Sequence, residues 1–264
     1  VGRIAIGVSY DGSAYHGWQT QQPGVASVQS EVEAALSFVA DHPVRVVCAG
    51  RTDAGVHATA QVIHFDTDAL RSERAWLHGA NNRLPAGIAL QWARAVPESF
   101  HARYSAFARR YRYVILNTPV RPSLYARQVT WNHRPLDIAR MRMAARHLVG
   151  EHDFSSFRAV GCQAKTPVRE VTHLELVRQG PLILLDIRAN AFLHHMVRNI
   201  AGVLMAVGAG KQEPGWVAEV LALRDRRQGG VTAPAYGLYL VAVEYPPEFS
   251  IPRPGPGPFF IEGP

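Results

Sequence analysis

Strand-length apolar runs and helix-period stripes succeed one another in nearly the same order in both halves of this 264-residue chain, and that order restricts the fold more than any single motif. In the first half, Ile4 to Tyr10 alternates and ends at Asp11-Gly12, as a strand entering a turn does. Val28, Val32, Leu36 and Val39 then recur at helical spacing behind Ser27, a good N-cap. "VRVVCA" and "QVIHF" read as short buried strands, followed by a helix around "RSERAWLHGAN" and a strand "GIALQWARAV". The second half opens on "RRYRYVILN", a strand by its aromatic and β-branched content. "LDIARMRMAARHLVG" is a helix capped by Asp137 and stopped by Gly150, and "VREVTHLELVRQGPLILLDIRA" is a hairpin through Gln179-Gly180-Pro181. Helices over "HHMVRNIAGVLMAVG" and "PGWVAEVLALRD" and a strand "GLYLVAVEY" complete it. The expectation is two related α+β units over residues 1–104 and 105–264, each a mostly antiparallel sheet with helices on one face. The tail "IPRPGPGPFFIEGP" is too rich in Pro and Gly for regular structure and is expected to dock through Phe259 and Phe260.

Charge points to a class of partner. Lys and Arg number 28 against 21 Asp and Glu, a formal net charge of +7, and all but Lys165 and Lys211 of the basic residues are arginine. Arginine's planar fork grips phosphate and stacks on bases, which suits nucleic acid, while a GC-rich genome would write the same skew. No run approaches a membrane span, and "VGRIAIGVSYDG" lacks the pattern of a secretory signal, so a cytoplasmic protein is expected. Cys48 and Cys162 stand apart without metal-ligand spacing and read as reduced thiols.

Several chemistries find no motif. There is no G-x-G-x-x-G after a strand, "AVGAGKQ" lacks the Ser or Thr of a P-loop, and neither G-x-S-x-G nor H-E-x-x-H occurs. His194 and His195, read as adjacent helix positions, are expected on different faces.

The stretch "AGRTDAGVHATAQVIHF" is different: a turn needs Asp53 and Gly55, but not Arg51. The helix "AFLHHMVRNIAGVLMAVG" is apolar on most sides yet contains Arg198, about 200° around from Met196. A buried guanidinium needs a carboxylate partner, for which Asp53 is a candidate, unless it snorkels to water. On "RRYRY", Tyr111 and Tyr113 share one face with Arg110 and Arg112 on the other, a pattern that serves either base stacking or an ordinary core strand.

Together, "YDGSAYHGWQ", "AGRTDAGVHATAQVIHF", "FHARYSAFARRYRY", "ANAFLHHMVRNIAG" and "APAYGLYLVAVEYP" resemble, in order, the signature blocks of the TruA family of tRNA pseudouridine synthases. The resemblance implies two ferredoxin-like halves joined into one extended sheet around a basic cleft. It also implies a homodimer that isomerises uridines in the tRNA anticodon stem-loop, at positions 38, 39 and 40, without metal or cofactor. By the same resemblance Asp53 is the catalytic aspartate, Arg51 the base-flipping arginine, Tyr111 the ring packed on uracil, Arg198 the aspartate's basic partner and Leu238 a pocket-lining apolar residue. The loops "FHARY" (Phe100, His101, Ala102, Arg103, Tyr104) and "GCQAK" (Gly161, Cys162, Gln163, Ala164, Lys165) are implied to contact tRNA. Arg71, Arg109, Arg110 and His195 complete that implied set. Two rivals remain at this level: a non-catalytic RNA-binding protein on the same platform, and an N-glycosylase that attacks C1′ with water.

Overall fold

The computed structural model describes residues 2–255, 257–258 and 260–261, so Phe259 lies outside the described residues. The chain divides into two compact units, Val1–Phe107 with Tyr239–Pro264, and Ala108–Leu238. The first segment ends three residues beyond the expected boundary, and the last strand and tail group with the N-terminal unit rather than with the C-terminal half.

The first unit runs β1 (Gly2–Tyr10), α1 (Val28–Ala40), β2 (Val47–Cys48), β3 (His57–Thr67), α2 (Glu73–Asn81) and β4 (Ile88–Val96). The second carries β5 (Ala108–Asn117), β6 (Thr130–Asn132), α3 (Ile138–Ala145), β7 (Gly150–Asp153), β8 (Val168–Gln179), β9 (Leu182–Ala189), α4 (Met196–Gly208) and α5 (Trp216–Leu223). β10 (Leu238–Glu244) returns the chain to the first unit. Both units are α+β with mostly antiparallel pairing, as the alternation of strand and helix patterns predicts. No helix among the described residues is long and apolar enough to cross a membrane.

In the first unit β1 pairs antiparallel with β3 on one side and β4 on the other, while β10 adds to β3 in parallel. β2 pairs antiparallel with β3, Val47 opposite His64 and Cys48 opposite Ile63, so the turn of interest is the loop of a hairpin. Only two residues of "VRVVCA" form the strand, because the preceding residues run as coil. Helix α1 buries Val28, Val32 and Leu36 of the stripe read from sequence, with Ala35 beside them, while Val39, its last member, is half-buried. Its start is fixed by a capping box in which the Ser27 side chain accepts from Ser30 N–H. Phe249, just before the tail, lies 5.2 Å from Phe100, and Phe260 of the tail itself lies 6.2 Å from Tyr239, between ring centres.

In the second unit β9 lies between β5 and β8, β7 borders β8, and the short β6 adds to β5 in parallel. The Asp137 carboxylate accepts from Ala139 and Arg140 N–H, as a cap should, but α3 stops at Ala145. A 3-10 turn over Arg146–Leu148 follows, and Gly150, with φ +106°, opens β7 rather than ending the helix. α4 is buried along Met196, Ile200, Val203, Leu204 and Val207, the predicted stripe. It begins after the two histidines: His195 is its N-cap residue, in left-handed conformation at φ 61°. The expectation that His194 and His195 occupy different helix faces is therefore corrected; both precede the helix, and their ring centres lie 4.1 Å apart with the rings tilted by 41°.

Tyr113 is also reassigned from possible stacking platform to core. It is fully buried, its hydroxyl lies 2.6 Å from Thr130 Oγ1 and donates to the Pro234 carbonyl at 2.8 Å. Burial pushes its phenol well above the usual range, with partial relief from Thr130 and Arg198, so it stays neutral. Tyr113→Phe should cost about 1–3 kcal/mol by leaving a buried carbonyl and hydroxyl short of a partner, read as a lower urea midpoint with unchanged slope.

Candidate functional site

The loop between β2 and β3 is a tight turn held from outside. Val56 N–H donates to the Asp53 carbonyl at 3.0 Å, and Gly55 sits at φ +82°, as the third residue of a type II turn requires. Glycine satisfies that angle without strain, which places Ala54 and Gly55 at the tip and leaves Asp53 half-buried beside an exposed Arg51.

The bracing comes from the segment "YDGSAYHGWQ". Trp18 N–H donates to the Thr52 carbonyl at 3.0 Å, and the hydroxyls of Tyr10 and Thr52 lie 2.8 Å apart. Gln61, fully buried on β3, donates through Nε2 to the Gly50 carbonyl at 2.6 Å. Gly12 N–H donates to His57 Nδ1 at 2.9 Å, and a Cβ on Gly12 would meet the Val56 carbonyl oxygen at 1.9 Å. The aspartate's backbone is thus fixed by partners on both flanks, the rigidity a reacting group needs. Tyr10, Gly12, Thr52 and Gln61 do not stand out in the sequence, where they read as ordinary strand and turn residues; only their inclusion in the motif blocks marks them.

The "FHARY" loop of the same unit divides into anchors and exposed groups. Phe100 and Ala102 are fully buried; Ala102 N–H donates to His64 Nδ1 at 3.1 Å and its carbonyl accepts from the Tyr245 hydroxyl at 2.6 Å. His101 Nδ1 accepts from both Arg103 and Tyr104 N–H at 3.2 Å, and its ring centre lies 4.3 Å from that of Tyr104. Arg103 and Tyr104 are left exposed, the guanidinium 5.6 Å from the tyrosine ring centre. Burial, then the positive charge of Arg3, then His101 lower His64 to about 4, so its Nδ1 remains an acceptor at neutral pH. Elsewhere in the unit, Arg71 donates to the Val39 carbonyl at 3.0 Å and is exposed.

In the second unit Tyr111 is 9% exposed, with its ring centre 5.0 Å from that of Phe192 in an edge-to-face contact. Phe192 belongs to the "ANAFLHHMVRNIAG" block, but nothing in its spacing indicates a partner on β5. Arg198 is half-buried on α4 and donates through Nε to the Ala233 carbonyl at 2.9 Å, and Leu238 is buried. Arg109 donates to the Asn190 carbonyl at 3.2 Å. Arg110 grips Asp186 with both ends of its fork, at 2.6 and 2.9 Å, and Arg112 Nε reaches the same carboxylate at 2.7 Å. The two guanidiniums thus share one carboxylate, and Glu175 stands cross-strand from it on β8.

The "GCQAK" loop is pinned from inside by Arg158, whose guanidinium donates to the carbonyls of Cys162 and Ala164 at 2.6 and 2.8 Å. Gly161, Gln163 and Lys165 are exposed. Both cysteines are free thiols with opposite surroundings. Burial pushes Cys48 up to about 11 despite Arg51 and Arg103. Burial also pushes Cys162 up, but N–H donation from Ala164 and His194 together with Arg158 outweighs it and the thiol falls below its ordinary range.

The comparisons with known proteins agree across the chain. A family model described as tRNA pseudouridine synthase matches residues 6–105 and 144–246. The chain is 62% identical over 263 residues to tRNA pseudouridine synthase A of Pseudomonas aeruginosa, covering 100% of this chain and 92% of the relative. It is 59% identical over 259 residues to the enzyme of the same name from Coxiella burnetii, covering 98% and 99% respectively. A third relative so named, from Methylococcus capsulatus, is 61% identical over 251 residues, 95% of this chain and 92% of that one.

Two outcomes follow from the bracing. Gly12→Ala forces a methyl into the Val56 carbonyl and should destabilise the first unit by about 2–3 kcal/mol in urea unfolding. His64 titrates near 6.5 when unfolded and about 4 when folded, so the unfolded state binds the extra proton between those values. Its contribution is complete above pH 6.5 and is lost as pH falls toward 4, about 2 kcal/mol of it by pH 5. His64→Asn, which keeps an acceptor that does not titrate, should flatten the acid limb of stability against pH.

Proposed function

We propose, from the premise that this chain belongs to the tRNA pseudouridine synthase family, that it isomerises uridine to pseudouridine in the anticodon stem-loop of tRNA, at positions 38, 39 and 40. The observation that carries this reading is Asp53: a half-buried carboxylate on a turn whose backbone is held on both flanks, inside the block "AGRTDAG" that the family resemblance assigns to catalysis.

The reaction breaks the bond from N1 to C1′, turns the uracil within the site and joins C5 to C1′. A proton leaves C5 and another is held at N1, so atoms balance without water or a redox equivalent. As C1′ becomes electron-poor, the Asp53 carboxylate either attacks it or removes a neighbouring sugar proton; both routes need the ionised form. Arg198 is assigned as the basic partner of that carboxylate. Tyr111 is assigned the ring that confines the detached uracil, which suits its nearly buried position against Phe192. Extruding the uridine costs a few kcal/mol, and the exposed Arg51 is suited to fill the vacated stack. Leu238 lines the pocket in this assignment.

RNA affinity is assigned to the exposed arms of the braced loops. Arg103, Tyr104 and His101 of "FHARY", with Gln163 and Lys165 of "GCQAK", offer cations, donors and a stacking ring, whereas Phe100 and Ala102 serve as anchors. Arg71, Arg109, Arg110 and His195 add positive or polar groups to the same reading. The protein acts as a cytoplasmic homodimer in this proposal.

Asp53→Asn should lower pseudouridine formation at least about 10³-fold while tRNA affinity stays within a few-fold of wild type. With tRNA carrying tritium at uridine C5, the wild-type protein should release tritium but no free uracil. Free uracil would identify a glycosylase, and release of neither would identify a binding protein.

A further inference from the structure

The segment from Thr118 to Pro135 joins the far end of β5 to α3, and neither the motif blocks nor the assigned loops include it. It contains Arg121, Arg127, Arg134 and His133 and no acidic residue. The next carboxylate, Asp137, is committed to the α3 N-cap. Arg178 adds a fourth guanidinium at this end by donating to the Leu136 carbonyl at 2.9 Å. Within this cationic setting the chain exposes apolar groups that a folded protein ordinarily covers: Val120 at 75%, Leu124 at 74% and Tyr125 at 53%.

The segment is built rather than loose. Trp131 Nε1 donates to the Thr118 carbonyl at 2.9 Å, the Thr118 hydroxyl donates to the Val120 carbonyl at 2.9 Å, and Gln128 N–H closes a turn on the Tyr125 carbonyl at 2.9 Å. Tyr125 stands at that turn with φ 59°, a left-handed conformation uncommon for a tyrosine. Asn117 ties the base by donating to the Asn132 and Arg134 carbonyls at 3.0 and 2.7 Å.

We propose that residues 118–134 form a second RNA-docking surface, which grips tRNA phosphates through Arg121 and Arg127 and stacks a nucleobase or ribose on Tyr125. The inference rests on the reading of the protein as a tRNA-modifying enzyme. The charge complementarity selects RNA over a second copy of this chain, whose own segment would carry the same sign. Position selects which part of the RNA: at about 3.3 Å per residue along β5, the Thr118 end of the segment lies roughly 20 Å from Tyr111, and β6 then brings the chain back beside β5 with Thr130 opposite Ile115. The Arg121 end therefore meets the substrate away from the reacting uridine, and the surface acts on affinity and register rather than on chemistry.

The test measures binding of an unmodified tRNA transcript across a salt series, alongside pseudouridine formation and sedimentation of the free protein. Arg121→Ala and Arg127→Ala should each weaken binding and reduce the slope of log affinity against log salt by about 1, raising KM with kcat unchanged. Arg121→Lys should restore the slope. Tyr125→Asn, which tolerates the left-handed backbone, should weaken binding about 10-fold without changing the slope. Unchanged slopes in both arginine variants overturn the proposal. So does loss of self-association at an unchanged slope, which would assign the surface to a second copy. If wild-type protein forms no pseudouridine while the slopes still fall, the docking surface stands and the enzymatic reading fails.

Discussion

The first unit depends on one close approach, the backbone of Gly12 against the carbonyl of Val56. With no side chain at residue 12, the turn after β1 and the turn before β3 share space, and Gly12 N–H reaches His57 Nδ1. The bonds that brace the loop carrying Asp53 cluster around this approach: Tyr10 against Thr52, Trp18 N–H on the Thr52 carbonyl, Gln61 on the Gly50 carbonyl. Each is a single hydrogen bond of modest net worth, but together they fix a loop whose polar groups would otherwise be satisfied by water in many geometries. A carboxylate that must meet one carbon atom is better placed by several weak constraints from its neighbours than by its own turn alone.

The second unit solves a related problem differently, by neutralising some arginines and leaving others available. Arg112 is 4% exposed and is accommodated because Asp186 accepts from it and from Arg110 at once. Arg158 is spent on the carbonyls that shape the "GCQAK" loop, and Arg226 on Asn199, Thr232 and Gly230. The composition thus overstates the charge available to a nucleic acid, since a good part of it serves as a multidentate donor to backbone oxygen. A count of arginines alone leaves the two uses mixed.

Much of the architecture was legible because it rests on periodicity. The α1 and α4 stripes, the Ser27 and Asp137 caps and the β8–β9 hairpin all appear where their patterns lie, since local burial decides them. What failed to show depends on partners distant in sequence. The start of α4 after His195 is set by a left-handed residue that no helix pattern announces, and Tyr113 became core because Thr130 and Pro234 lie where its hydroxyl ends. β10 was read with the half that precedes it, but its register is with β3, Tyr239 opposite His57 and Leu240 opposite Ala58. The candidate site was legible at its reactive residue and not at its supports. Asp53 and Arg51 are conspicuous because a turn has no need of the arginine, while Gln61 on a buried strand looks like an ordinary polar interruption until Gly50 is seen beneath its amide.

The same distinction between reactive and supporting groups separates the two thiols and the two histidine settings. Cys48 is raised by burial and His64 lowered by it, so each is held in its neutral form at physiological pH. Neutrality is what their positions need: an imidazole nitrogen that accepts the Ala102 N–H cannot also be protonated, and a charge there would sit beside Arg3 and His101. Uncharged side chains behind the "FHARY" loop leave its exposed arginine as the group that an anion meets first. The charged group that shapes the loop from behind, Arg3 on the Phe100 carbonyl at 2.8 Å, is itself paired with Asp66 at 2.7 Å, so the exposed Arg103 is the cation this loop presents outward.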